Sequence, residues 1–396
     1  MSAKIQKNIR SAVLNPLVSF VKVESAGGII LLFCAAIALA LANSSYASQY
    51  FTILNLKFTV GFDFFNISKP LLLWINDGLM AIFFFVVGLE IKRELVEGEL
   101  SSVKKAMLPA AAALGGMVVP ALFFVFFNKG GEAAAGWGIP MATDIAFALG
   151  ILSLLGKSVP IALKVFLTAL AIVDDLGAVL VIAFFYTESI SMTSLLVGAV
   201  TYAILFWGGS KKIMSTGFYL FFGLILWVAI LKSGVHATIG GVLLATVIPV
   251  KPLLKDLEHK LHPWVAFMIM PVFALANAGV TIAGSLGEIL MTPVSLGIAF
   301  GLIFGKQIGI TLFSWITVKL KMAELPAGMS IRSIYGVSWL GGIGFTMSLF
   351  IASLAFPGNE TLLDYSKISI FTASIISGLA GFIILKLYYK KKSAEA

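Results

Sequence analysis

The chain has 396 residues, 59% of them hydrophobic and only 12% charged, with a mean hydropathy of +1.02. A soluble domain carries about 25% charged residues, so this composition excludes an ordinary soluble protein and points to a polytopic membrane protein. The single cysteine, Cys34, excludes an intrachain disulfide or a cysteine-based metal site, and the net charge of +9 has to be judged by where the basic residues sit.

Residues 1–25 are basic and lack an apolar core ending in a cleavage site. They are expected to be a cytoplasmic lead-in, not a signal peptide. Apolar windows follow at 26–43, 71–90, 107–127, 133–154, 160–186, 193–209, 215–231, 234–249, 263–283, 294–317, 333–356 and 367–388, which makes twelve candidate spans of an all-α membrane protein. The seventh and eighth are short for a full crossing, which implies tilt or partial burial. Twelve crossings place both termini on one side. On that side Lys and Arg crowd the segments between spans, among them Lys92, Arg93, Lys104, Lys105, Lys211, Lys251, Lys255 and Lys321. The opposite segments hold Lys57, Lys69, Lys129, Lys232 and Lys367. The positive-inside rule then puts the termini, including the tail 389–396, in the cytoplasm. The same bias absorbs the basic charge, so nucleic-acid binding loses its motive.

The longest outer segment is 44–70. Its stretch Leu56 to Phe64, with rough alternation and the central Gly61, reads as a small β-hairpin or an irregular loop. No soluble domain can be cut from the rest, so residues 1–396 are expected to form one membrane domain.

Ionisable residues near mid-span carry the chemistry. They are Asp144 in the fourth span, Asp174 and Asp175 in the fifth and Lys306 in the tenth. A charged carboxylate at the centre of a membrane helix costs about 2.5–3.5 kcal/mol even on a lenient scale. Three acids and one base at one depth suit a cation site with a counter-charge; the competing reading is a set of structural ion pairs. Asp174 and Asp175 point about 100° apart on a helix. One of them can face a cavity while the other pairs with Lys306.

Two spans are interrupted. The fourth contains Gly136, Gly138 and Pro140 just before Thr143-Asp144; the eleventh contains Gly341, Gly342 and Gly344. Proline removes a backbone donor, and each glycine weakens a helix by roughly 1 kcal/mol. Interrupted helices expose half-helix ends, N-termini favouring anions and C-termini favouring cations. Asp144 is placed to neutralise the first kind and Lys306 the second. For Gly115-Gly116 in the third span, close helix packing is the better reading. A carboxylate that binds a desolvated sodium ion must be ionised, and its protonation expels the ion. A site that does this while facing one membrane side at a time is an antiporter.

Four stretches together resemble the NhaA family of bacterial sodium/proton antiporters. They are Ala142 to Gly150 (ATDIAFALG), Leu170 to Gly177 (LAIVDDLG), Lys232 to Thr238 (KSGVHAT) and Gly341 to Ser348 (GGIGFTMS). Val87 to Leu95 (VGLEIKREL) and His262-Pro263-Trp264 agree, and the similarity runs over nearly the whole chain. That family is itself a type example of inverted repeats. The resemblance implies twelve helices with the third to fifth repeated inversely as the tenth to twelfth, and broken fourth and eleventh helices that cross. It implies Asp175, with Asp174, as the ligand of Na+ or Li+, Thr143 beside them and Asp144 and Lys306 balancing the helix ends. It also implies a Lys306–Asp174 salt bridge and electrogenic exchange of sodium or lithium for protons. No cofactor and no protein partner are implied beyond a homodimer made through the outer hairpin at about 55–66. The setting is the bacterial inner membrane, with roles in pH homeostasis and salt tolerance.

The family shuts at acid pH, which implicates Glu90, Lys92, Arg93, Glu94, Lys255 and Glu258 at the cytoplasmic funnel, with His259 and His262 beside them. Charges at a span end also snorkel to water and pair at i,i+4 without any such role. His236, on the outer side, reads as a satisfied core histidine or as a contributor to the pH response. Asp77, inside the second span, is expected to line a cavity. Two rival functions remain. One is a sodium-coupled solute symporter on a related fold. The other is an intramembrane aspartyl protease using Asp144 with Asp174 or Asp175, which would leave Lys306 and both breaks unexplained.

Overall fold

The computed structural model describes residues 26–62, 65–187, 190–282 and 284–394. The expected lead-in at 1–25, the hairpin residues 63 and 64, and the last two residues of the tail lie outside the described residues. Helix α1 (Ala26–Ala42) turns by 112° into α2 (Ala47–Asn55). Asn43 ends α1 by donating to the Leu39 carbonyl at 2.9 Å and to the Val280 carbonyl at 2.8 Å. Strands β1 (Lys57–Phe62) and β2 (Phe65–Pro70) pair antiparallel, from Lys57 opposite Pro70 to Phe62 opposite Phe65. The pairing strands therefore run over 57–62 and 65–70, beyond the stretch 56–64. Gly61 takes its positive φ of 131° inside β1, one residue from the strand's end. Helix α2 occupies a part of the outer segment in which the sequence pattern suggested no helix.

The remaining helices are α3 (Leu71–Glu97), α4 (Val103–Phe127), a 3-10 segment (Glu132–Met141), α5 (Ile145–Leu154), α6 (Ile161–Phe185) and α7 (Met192–Ser210). They continue with α8 (Thr216–Leu231), α9 (Thr238–Val247), α10 (255–277), α11 (Leu286–Leu290) and α12 (Pro293–Lys319). The chain ends with α13 (Ile331–Gly341), α14 (Phe345–Ala355) and α15 (Glu360–Ala394). Polar residues that punctuate the apolar runs start several of these helices. Ser191, Ser215, Thr292 and Ser330 each accept a backbone N–H of the following first turn, a contact worth about 1 kcal/mol per cap.

Among the described residues, seven helical stretches are long and apolar enough to cross a membrane: α3, α4, the 3-10 segment with α5, α6, α7, α12 and α15. Two bent pairs, α1–α2 and α13–α14, pass the same test together, and α8 and α9 are shorter apolar helices. Burial distinguishes centre from rim. The apolar windows of α6 and of the 3-10 segment with α5 are each 61% buried and that of α7 only 22%, so these two stretches lie at the centre and α7 at the rim. Helices α4 and α12 approach most closely at Gly115 and Gly309, where a Cβ on either residue would run into the other's backbone carbonyl. This is the close packing expected of Gly115-Gly116, and it holds Lys306, on α12, against the broken segments.

A candidate ion-exchange site at two helix breaks

The residues between the 3-10 segment and α5, 142–144, are not helical. Pro140 lies just before them, and Asp144 takes extended backbone angles (φ −85°, ψ 100°). The second break, 342–344, separates α13 from α14, whose axes differ by 50°. The two breaks touch. The Asp144 N–H donates to the Ile343 carbonyl at 2.7 Å. Proximity favours glycine here: a Cβ on Gly342 would meet the Leu302 carbonyl, and one on Gly344 the Ser348 hydroxyl.

Asp144 is 1% exposed and serves both breaks. Its Oδ1 accepts the Phe147 N–H at 3.2 Å, capping α5. Its Oδ2 accepts the Thr346 N–H at 3.1 Å and the Thr346 hydroxyl, capping α14. One carboxylate thus faces two helix N-termini, each of which favours negative charge.

Lys306 is fully buried on α12, directly after a π-helical turn at Gly301–Gly305. An ammonium has three donors, and each finds an acceptor: the Met141 carbonyl at 2.5 Å, Thr143 Oγ1 at 2.9 Å and Asp174 Oδ2 at 2.5 Å. Met141 ends the 3-10 segment, so the Lys306 ammonium lies against the C-terminal end of that segment. Thr143 Oγ1 also lies 2.6 Å from Asp174 Oδ2 and 2.9 Å from the Gly341 carbonyl. With a single proton, the hydroxyl donates to only one of them at a time.

The adjacent acids on α6 have different surroundings. Asp174 is 1% exposed and tied to Lys306 and Thr143 through Oδ2. Asp175 is 3% exposed, and its Oδ1 has no hydrogen-bond partner among the described residues. It lines a narrow cavity with Asp144, Met347, Glu90, His262 and Gly27. About 40 Å³ of that cavity is open to the centres of water-sized occupants, enough for a few waters or one small cation. A buried carboxylate oxygen at the end of such a cavity can take either a proton or a cation.

The sequence profile of the Na+/H+ antiporter 1 family matches residues 18–385. The chain belongs to this family. It is 52% identical to the Na(+)/H(+) antiporter NhaA 1 of Clostridium beijerinckii, over 97% of this chain and 98% of that protein. It is 50% identical to the NhaA antiporter of Aeromonas salmonicida, over 95% and 97% of the two chains. The NhaA antiporter of Shewanella frigidimarina is 52% identical over 93% and 95%. Na+/H+ antiporter 1 proteins are secondary transporters, not enzymes, so the protease reading falls.

In this Na+/H+ antiporter 1 chain, charged residues expected at a funnel gather where α3 and α10 meet. Arg93 Nε lies 3.0 Å from Glu258, and the Arg93 guanidinium lies 2.7 Å from Glu94. Lys92 donates to the Thr246 and Ile248 carbonyls at 2.6 and 2.5 Å, closing the end of α9. Lys255 pairs with Glu97 at 2.6 Å, an acid the sequence reading passed over. Glu90 is buried and lies 3.9 Å from His262. His236 is not part of this cluster. Its Nε2 is 3.6 Å from Asp77, which Lys69 of β2 also holds at 2.6 Å, and its ring meets Phe350 edge-on at 5.3 Å between centroids. Thr346 is the other residue missed. It is neutral, and only its position at the start of α14 makes its hydroxyl and N–H matter.

Proposed function

We propose that the chain exports sodium, or lithium, in exchange for protons by alternating access, with Asp175 as the principal cation ligand. The observation that carries this reading is the contrast between the two acids of α6: each has an Oδ1 without a partner among the described residues, but Asp174 is tied through Oδ2 to a buried lysine whereas Asp175 lines a cavity. A desolvated cation needs the ionised form of Asp175, whereas a proton neutralises it and displaces the cation. Asp174 completes the site when it exchanges Lys306 for the cation. The proton states of Asp175 and of the Asp174–Lys306 pair then both change with loading. Two proton-carrying groups set against one cation make the exchange electrogenic. Thr143 follows the state of Asp174, and Asp144 keeps both breaks capped while they move. No cofactor enters the cycle; Na+, Li+ and H+ are the cargo.

The same reading takes the whole chain as one membrane domain of twelve spans. The third to fifth are repeated inversely as the tenth to twelfth, with both termini in the cytoplasm of a bacterial inner membrane. The cavity then leads from Asp175 to the cytoplasmic side, where the Glu90, Lys92, Arg93, Glu94, Lys255 and Glu258 cluster sets the pH response, with His236 as an outer contributor. Exchange measured in proteoliposomes, with the membrane potential clamped at several values, tests the reading. Proton flux is expected to oppose sodium flux and to respond to voltage. Sodium and a solute moving together would instead establish the symporter.

The hairpin is the expected contact of a homodimer. Every residue of β1 is exposed, with Phe58 at 59% and Phe62 at 78%, and unpaired apolar strand edges favour association with a second copy. Deleting residues 55–66 is expected to shift the detergent-solubilised protein from dimer to monomer on sizing while exchange persists. Unchanged migration would refute the contact.

A further inference from the structure

On the Lys- and Arg-rich side, a second and wider cavity opens on a face of α6 different from that of Asp175. Its walls are apolar: Leu108 and Pro109 of α4 face Ile161, Ala162, Phe166 and Ala169 of α6. The α6 residues recur at i, i+4 and i+7 spacing and so form one stripe about two turns deep. Its mouth is ringed by Lys104, Lys105 and Lys321, with Glu99 and Glu324. Lys105 has Glu99 at 3.9 Å. Lys104, Lys321 and Glu324 make no ion pair among the described residues.

The mouth is flanked by apolar side chains that no water-filled vestibule would expose. Val103 is 75% exposed, Leu320 64% and Met322 51%. Lysines alternating with exposed aliphatic residues at the ends of apolar helices mark the level of the membrane–water interface. Lys321 also sits in the left-handed region at φ 57°, just past the end of α12. Glycine fits that helix-ending position without strain, so the lysine side chain is kept there against a backbone preference.

We propose that this cavity binds one anionic phospholipid, its phosphate on Lys104, Lys105 and Lys321 and an acyl chain along the Pro109–Phe166–Ala169 wall. The ring carries three positive and two negative side chains, a surplus too small to hold a free phosphate. The apolar wall supplies the rest of the attraction, which only a lipid can use. Basic pockets between membrane helices on the cytoplasmic side take anionic headgroups by this combination.

The test uses the full chain, delipidated in detergent, with lipid retention read by native mass spectrometry and stability by thermal melting. Added phosphatidylglycerol is expected to be retained and to raise the melting midpoint. Phosphatidylcholine is expected to be retained less, and inorganic phosphate to leave the midpoint unmoved. Each Lys→Gln change is expected to weaken retention about fivefold, and Lys104→Gln/Lys105→Gln/Lys321→Gln to abolish it. Ala162→Trp, which fills the wall and keeps every lysine, is expected to abolish it too. Three results would each overturn the proposal: equal retention by the triple variant, equal retention of phosphatidylcholine, or a midpoint shift by phosphate alone. Sodium–proton exchange in the triple variant is expected to retain its cation dependence, because none of these residues touches the exchange site.

Discussion

Replacing Asp175 by asparagine is expected to reduce sodium-dependent proton movement in everted vesicles to background. The substitution keeps the shape of the side chain and removes its charge. A desolvated cation then loses its counter-charge, a deficit of roughly 3–5 kcal/mol by analogy with a broken buried ion pair, which corresponds to at least about a hundredfold loss of transport. The same change removes a buried carboxylate whose Oδ1 has no partner. Thermal stability is therefore expected to hold or rise while activity disappears. That divergence separates a ligand from a structural residue. Normal antiport, or a fall in activity matched by a fall in melting temperature, would remove Asp175 from the cation site.

Lys306→Gln is expected to act in the opposite sense on stability. The Lys306–Asp174 pair is wholly buried, and removing one partner of such a pair costs about 3–5 kcal/mol because the other charge is left uncompensated. At alkaline pH Asp174 stays ionised without its lysine, so the full deficit shows. Toward acid pH a proton on Asp174 cancels the orphaned charge, and the deficit shrinks. Asp174→Asn/Lys306→Gln is expected to regain most of the lost stability, since neither charge remains. Melting curves of Lys306→Gln that match the unaltered protein at every pH would show that the pair does not hold the helices together. The pH–rate profile is expected to shift as well, because Asp174 no longer exchanges a lysine for the cation.

These two positions were legible in the sequence for a single physical reason: charge inside an apolar run is expensive and therefore conspicuous. Asp144, Asp174, Asp175 and Lys306 all stand out in this way, and the structure brings them together. The breaks were legible through Pro140 and the glycines at 341, 342 and 344. What stayed hidden depends on register and orientation. Which oxygen of Asp174 meets Lys306, and that Asp175 looks into the cavity, follow from the rotation of α6 against α12. The Lys69–Asp77 contact depends on the hairpin pairing, whose second strand lies beyond the stretch 56–64. Helix α2 was masked by the polar residues around it at 43–49. The π-helical turn before Lys306 leaves no pattern of its own beyond Gly301 and Gly305. Thr346 was invisible because a threonine in an apolar run costs little and signals nothing until the helix is known to start there.

The double duty of Asp144 has a mechanical consequence. Its two oxygens stop two helices that belong to different broken segments. If those helices parted, one N-terminus would lose the carboxylate that caps it among the described residues. This carboxylate therefore ties the two breaks to each other. Under the alternating access proposed above, Asp144 would serve as the pin of a hinge, confining the working stroke to a rocking of joined halves.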